Sequence, residues 1–394
     1  MSNNRFFKLG AVLALMVAGF TANVFAVTYL KADAAGEGDG SSWANAYQNA
    51  DAAIEAAMAG DKIIHAAAGV YLVDGLKNLP DDFAFYGGFP GVSEGETLED
   101  RDFDAHQTIL TCDRDQDDYW VHATPVVGEY KRVLEDLPNE TLISNNVVHL
   151  PPAYTDKYDY YGPKCRGNNT SCTFVIGKDC GATFDGLWFV GFVNKDSIRN
   201  LIKIEKGAKT TSIRNCRFIG TITHYGQIEV NVNGVTISSC QFRFCKTTSR
   251  GSLACMNTGA TILEDTQAES LWRNGSTSGG VVYLGGHCAG SKINRCVFTR
   301  CSDYSSSKGA ETSYGAAGCI VSCEGDSSVA FSDCVISNCL TSSTGENGAP
   351  LVGLRNGAFI RTSFIDNLHE VRPVAGRAYV MCGNTAFSNY KQTY

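Results

Sequence analysis

The 394-residue sequence has no excess of positive charge: 33 Lys and Arg stand against 41 Asp and Glu, a net charge of −8. That balance argues against nucleic acid and anionic lipid surfaces as partners. It also disfavours a polyanionic substrate such as polygalacturonate, unless a local basic cleft or bound calcium compensates. Long hydrophobic runs are scarce as well. Residues 1–26 carry Arg5 and Lys8, an apolar run over residues 9–20, and Ala26 behind Val24. This is a secretory signal peptide too short to span a bilayer, and no second run of spanning length follows. The expectation is a secreted, extracellular or cell-surface protein whose mature chain starts near Val27 and has no integral membrane segment. Among the 16 cysteines there is no Cys-x-x-Cys pair. His287-Cys288 lacks partners at ligand spacing, which argues against zinc.

What the sequence does have is a recurring pattern, apolar-x-x-Cys-x-Phe-x-x-Cys. It reads Ile237/Cys240/Phe242/Cys245, Ile293/Cys296/Phe298/Cys301 and Phe331/Cys334/Ile336/Cys339. Looser copies are Phe184/Leu187/Phe189/Phe192, Ile213/Cys216/Phe218/Thr221, Leu263/Thr266/Ala268/Leu271, Ile360/Ser363/Ile365/Leu368 and Cys382/Thr385/Phe387/Tyr390. Repeats of this period mark stacked units that cannot bury their apolar faces alone. A rhythm of three, two and three matches neither a helix nor a straight strand, but it suits two short strands joined at a corner that resets the alternation. A further strand precedes most copies, at 201–205, 228–232, 253–256, 281–284, 319–323 and 351–354. The fold class predicted is all-β, a right-handed parallel β-helix of about three strands per coil, with rungs about 4.8 Å apart. Gly/Ser-rich stretches at 302–315 and 341–348 read as extruded loops. Most cysteines fall at core positions, where a free thiol acts as a small hydrophobe. Cys165 and Cys172 instead flank a polar loop and could close a small disulfide ring.

Near the start, an Ala-rich helix is predicted over about 49–59, with Ala53, Ile54, Ala57 and Met58 on one face and Gly60 closing it. It would cap the open end of the stack. The domain reading is therefore a signal peptide at 1–26, a strand and capping helix at 27–60, and the β-helix at 61–394 with an insertion at about 113–180. Early strands are expected at 60–71, 83–89, 108–110 and 146–150.

The succession Gly38-Asp-Gly-Ser-Ser-Trp-Ala-Asn-Ala46, Ala59-Gly-Asp-Lys-Ile63, Ala67-Ala-Gly-Val-Tyr71, Tyr86-Gly-Gly-Phe-Pro-Gly91, Arg101-Asp102, Thr108-Ile-Leu-Thr-Cys-Asp113 and Phe184-Asp-Gly-Leu-Trp-Phe-Val-Gly191 resembles the start of secreted bacterial β-helix proteins of the pectin-lyase-like superfamily. The Cys-x-Phe units resemble the repeats of polymorphic outer-membrane proteins. The resemblance implies a fold and an exported life. It implies no single activity, because the superfamily holds lyases, hydrolases and adhesins.

Hydrolysis on such a scaffold needs two acids about 5–10 Å apart. Glu205 and Glu229 are the only weak catalytic candidates on the outer faces, and the following coils offer no converging acids. The cluster Asp113, Asp115, Asp117 and Asp118 could gather oxygen ligands around Ca²⁺, although it lacks the glycine and distant glutamate of an EF-hand loop. Tyr119, Trp120, Tyr158, Tyr160 and Tyr161 lie in the same insertion and could stack on sugar rings or pack the insertion down. The functional expectation is a non-catalytic, adhesin-like or carbohydrate-binding protein whose partners are glycans or host and cell-surface proteins. The alternative is a polysaccharide lyase or glycoside hydrolase with a divergent site.

Overall fold

The computed structural model describes residues 27–126, 131–156, 159–194, 200–274, 280–305, 315–316, 320–324, 328–343, 352–353, 356–371, 385–387 and 390–392. The expected signal peptide and residue 158 lie outside them, as does most of each expected loop. Among the described residues the chain is β throughout except for one helix, Ala50–Ala59. No helix there is long and apolar enough to cross a membrane. Most strands collect in sheets of 11, 10, 9 and 6 strands, and sequence neighbours visit the sheets in turn. Ile202–Ile204 lies in the nine-stranded sheet, Thr211–Arg214 in the eleven-stranded, Arg217–Ile219 in the ten-stranded and Ile222–Thr223 in the six-stranded. The next circuit repeats that order with Ile228–Val230, Val235–Ser238, Gln241–Arg243 and Lys246–Thr247, each pairing parallel with its counterpart. This path is compatible with a parallel β-helix solenoid. It adds a short fourth strand to the three expected; Ser302–Ser305, expected as loop, and Leu340–Ser343, whose last three residues were so expected, belong to that fourth sheet.

The three-two-three rhythm has a local cause. Ile237 points inward, Ser239 takes a left-handed backbone with φ of 52°, and Cys240 and Phe242 then point inward again. Phe244, at φ 59°, makes the second bend before Cys245. One left-handed residue shifts the side-chain alternation by one position, so both strands face the same interior. Asn215, Asp265, Arg295, Asp333 and Arg361 hold the first bend in other circuits, with φ between 48° and 56°. Asn and Asp tolerate that region; Arg does so at a cost. The arginines are held from the circuit before. Arg295 donates to both carboxylate oxygens of Asp265 at 2.6 and 2.7 Å, and Arg361 donates to Asp333 at 2.6 Å.

Inside, like stacks on like. The rings of Phe189, Phe218 and Phe242 follow one another at 4.9 and 4.4 Å, tilted by 18° and 2°. Ala268 interrupts the column before Phe298, Ile336 and Phe364 continue it. Cys216 meets Cys240, Cys296 meets Cys334 and Cys301 meets Cys339, all as free thiols. Burial pushes the Cys245 thiol up to about 12. Part of the interior is polar: buried Gln227 accepts from Thr221 at 2.7 Å and donates to Thr223 at 3.2 Å. At the end of the stack two expectations are corrected. The inward set is Phe359/Thr362/Phe364/Asn367, one residue earlier than read, because Phe331 pairs with Phe359 and Ile336 with Phe364; Ile365 is 45% exposed. A one-residue slip exchanges the two faces of a strand. The copy at 382–390 is no further parallel rung, since Thr385–Phe387 and Tyr390–Gln392 pair antiparallel with the preceding strands.

At the other end the helix is capped by Asn49, whose side chain accepts from the Ala52 amide at 3.0 Å. Its Ala50, Ala53, Ile54 and Ala57 join Leu30 and Ile64 in the core. The Tyr86-Gly-Gly-Phe and Arg101-Asp segments form one physical unit with residues 184–191. Arg101 reaches buried Asp185 at 3.0 Å and lies 5.1–5.7 Å from the rings of Tyr86, Phe89 and Phe103. A Cβ at Gly87 would sit 2.6 Å from the Gly186 carbonyl oxygen, so only glycine permits this approach. Val147–Val148 is not an early strand of the stack; it pairs antiparallel with Ile143–Ser144 inside the insertion.

The central column sets the stability. Phe242→Ala removes a fully buried ring between two neighbours and should cost about 3–5 kcal/mol in urea unfolding; a loss below about 1 kcal/mol would show that the ring is not core.

Candidate functional site

The insertion folds as a three-stranded antiparallel sheet of Tyr160–Lys164, Tyr119–Val126 and Lys131–Thr141. It is fastened to the outward face of the ten-stranded sheet. Trp120, Leu142, Ile143 and Tyr161 pack there against Ile109, Trp188, Val190, Ile219 and Phe244. Trp120 is fully buried, its Nε1 donating to the His149 carbonyl at 3.0 Å. Tyr160 packs on Trp272 at 5.2 Å, and Tyr161 stacks on His122 at 4.8 Å. Three of the rings expected to meet sugars are therefore spent on packing. Tyr119 is half-buried, with its hydroxyl donating to Asp136 at 3.2 Å and Arg166 5.3 Å from its ring. Tyr158 lies outside the described residues.

The acidic loop begins where Thr108–Thr111 leaves the ten-stranded sheet. Carboxylate oxygens of Asp113, Asp117 and Asp118 lie within 4.8 Å of one another. Asp113 and Asp118 are fully buried. Among the described residues Asp113 accepts only the backbone amides of Asp117 and Asp118, both at 3.3 Å. Asp118 accepts from the Arg166 amide at 2.8 Å and from Asn169 Nδ2 at 2.7 Å. Asn168 Nδ2 bridges Asp115 and Asp117 at 2.7 and 3.2 Å, so Asp115 stands at the exposed rim, outside the inner three. The loop 165–170 thus closes over the acids, a role the sequence reading did not assign to Asn168 and Asn169. Their Oδ1 atoms are buried with no hydrogen-bond partner among the described residues. Burial, and then the neighbouring Asp118 charge, push Asp113 up to about 6; burial also raises Asp118. Carboxylate and amide oxygens are the donors that hard divalent ions take.

The expected Cys165–Cys172 bridge is not formed: both residues are thiols, with no disulfide between them. Cys172 points into the core near Cys112, whereas Cys165 hydrogen-bonds Asp118 outside it.

Glu205 and Glu229 lie on the outward face of the nine-stranded sheet. Lys203, Glu229, Cys255 and Tyr283 follow one another in register on successive circuits. Lys203 binds Glu205 at 2.9 Å. Glu229 Oε1 accepts from Asn231 Nδ2 at 3.3 Å and Asn257 Nδ2 at 2.9 Å, and Asn257 also donates to Asn231 Oδ1 at 3.0 Å. Beyond them Arg250 donates to the Tyr283 hydroxyl at 2.9 Å and covers its ring. Asn257 lies beyond the strand expected at 253–256, because Ala254–Thr258 runs two residues further.

The acid loop gives a pH dependence of definite sign. Asp113 holds its proton more tightly folded than unfolded, so its contribution is full below about pH 4 and is lost as pH rises through about 6. In chelator, that loss should be on the order of 2 kcal/mol at pH 7. Asp113→Asn should remove it, read as a smaller difference between urea midpoints at pH 4.5 and 7; an unchanged difference would refute the assignment.

No protein-family model, curated protein or solved structure matches this chain.

Proposed function

We propose that the chain is an exported right-handed parallel β-helix of the pectin-lyase-like type, and that it binds glycans without cleaving them. The observation that carries this reading is the ordered polar strip of Lys203, Glu205, Glu229, Asn231 and Asn257. Two amides fix one oxygen of Glu229, while Oε2 has no partner among the described residues. A rigid sheet presents these donors and acceptors without the ordering cost that flexible side chains incur on binding. Hydroxyl-rich ligands offer the matching groups. Hydrolysis asks for something else, a general acid kept protonated by an apolar surround beside an ionised partner. Glu205 instead sits in an ion pair with 42% of its side chain exposed. The insertion and its acidic loop serve as a rigid shoulder beside this rod, with Ca²⁺ as the ion the oxygen set fits.

Glycan-array binding by the purified protein tests the reading. Glu229→Gln and Asn257→Ala should each weaken binding about tenfold, the worth of one charged hydrogen bond, with unchanged unfolding midpoints. Release of unsaturated or reducing sugar ends, lost in Glu229→Gln, would install the enzyme reading instead. For the ion, millimolar calcium at pH 7 should raise the melting temperature of the native chain and leave that of Asp113→Asn unmoved; calorimetry without a heat of binding disposes of it.

A further inference from the structure

We propose that a groove on the outward face of the eleven-stranded sheet, at the helix-capped end, is a separate subsite for a neutral oligosaccharide. The proposal rests on the glycan-binding reading and assigns it a place and a ligand class. The groove has a volume of about 700 Å³, within the range of small-molecule sites. Its floor is the column Ile63, Ala84 and Thr183, paired in register on three successive circuits. The depression comes from Ala84, a methyl group between two longer side chains. Tyr86 forms one wall. Its ring is held by the Arg101 guanidinium at 5.4 Å and the His65 edge at 5.7 Å, so an aromatic surface is presented without freedom to swing away. The opposite wall is the row of bends that start these strands, where Lys62 and Asp82 both take left-handed backbones, at φ 63° and 62°.

The lining decides the chemistry. An aliphatic floor and an aromatic wall suit the C–H face of a pyranose ring, while Thr183 and the bend residues offer hydroxyl, amine and carboxylate partners to its edge. The charges nearly cancel: Lys62 and Lys209 stand among Asp61, Asp82 and Asp81, the last of them bound to Lys209. Such a rim does not concentrate a polyanion or a polycation, which separates this groove from a site for uronates or phosphates. All four circuits that supply it belong to parallel ladders, so its shape is set before the ligand arrives.

The test is calorimetry of the native chain with cello-, xylo-, manno- and chito-oligosaccharides of two to four units, alongside Thr183→Trp and Ala84→Gln, which fill the groove from the outward face, and Tyr86→Ala. Binding of at least one series is expected, weakened tenfold or more by both filling variants and by Tyr86→Ala, and insensitive to salt. Circular dichroism melting of each variant separates groove loss from unfolding, and the filling variants should melt as the native chain does. If the native chain binds glycans and folded filling variants bind equally well, the groove is refuted while the glycan reading stands. Binding confined to acidic sugars and abolished by salt refutes the ligand class. If the native chain binds no glycan on the array or in the calorimeter, the underlying reading falls, and the groove with it.

Discussion

Everything in this molecule depends on side chains of successive circuits landing on one another inside parallel ladders. A hydrogen-bonded parallel ladder sets the rise between circuits at about 4.8 Å, and the left-handed bends set the direction in which each side chain points. With both in place, Phe218 has little choice but to meet Phe242, at 4.4 Å and nearly parallel. The burial gained is repeated at each circuit and shared by both neighbours, so no circuit is stable apart from those on either side. The bend itself is the costly element. The chain meets that cost with residues that tolerate positive φ, Asn215 and Asp265 among them, or with ion pairs such as Arg295 to Asp265 that tie one bend to the next.

Such a framework leaves its outward faces free, and three of them are used differently. The ten-stranded face is apolar at Ile109, Trp188, Val190 and Ile219, and it is covered by the insertion. The nine-stranded face carries a row of amides and carboxylates that hold Glu229 by one of its two oxygens. The eleven-stranded face is buried near Asp185 by two arginines, Arg101 and Arg214, and opens into a groove beside it where Ala84 replaces a longer side chain. A flat, regular sheet becomes selective only through such local departures in size and polarity.

Much of this was readable in residue order. Stacked circuits, the helix with its Asn49 and Gly60 ends, and the pairings Cys216 with Cys240 and Cys296 with Cys334 follow from spacing, because period and size at inward positions are local properties of the chain. Errors arose where the local pattern is degenerate. Phe359-Ile-Arg-Thr-Ser-Phe-Ile365 offers apolar residues in two registers, and only pairing with Phe331 and Ile336 selects the one that packs Phe359 and Phe364 against the core. The strand Val147–Val148 looks like any short apolar run, yet its partner is Ile143–Ser144 nearby rather than a distant circuit.

The sequence by itself determined the parallel stacking, the thiol and phenyl columns and the acidic character of the loop at 113–118, since each is carried by residues close in sequence or repeated at a regular interval. Tertiary structure alone decided which exposed-looking aromatics were buried, that Asn168 and Asn169 close over Asp115, Asp117 and Asp118, that Asn257 holds Glu229, and that Cys172 faces the core while Cys165 does not. These contacts join residues separated by 22 to 109 positions, as in Cys172 to Asn194 and Tyr161 to Ser270. No propensity or period encodes them, because they arise only once the ladders have brought unrelated segments to one surface.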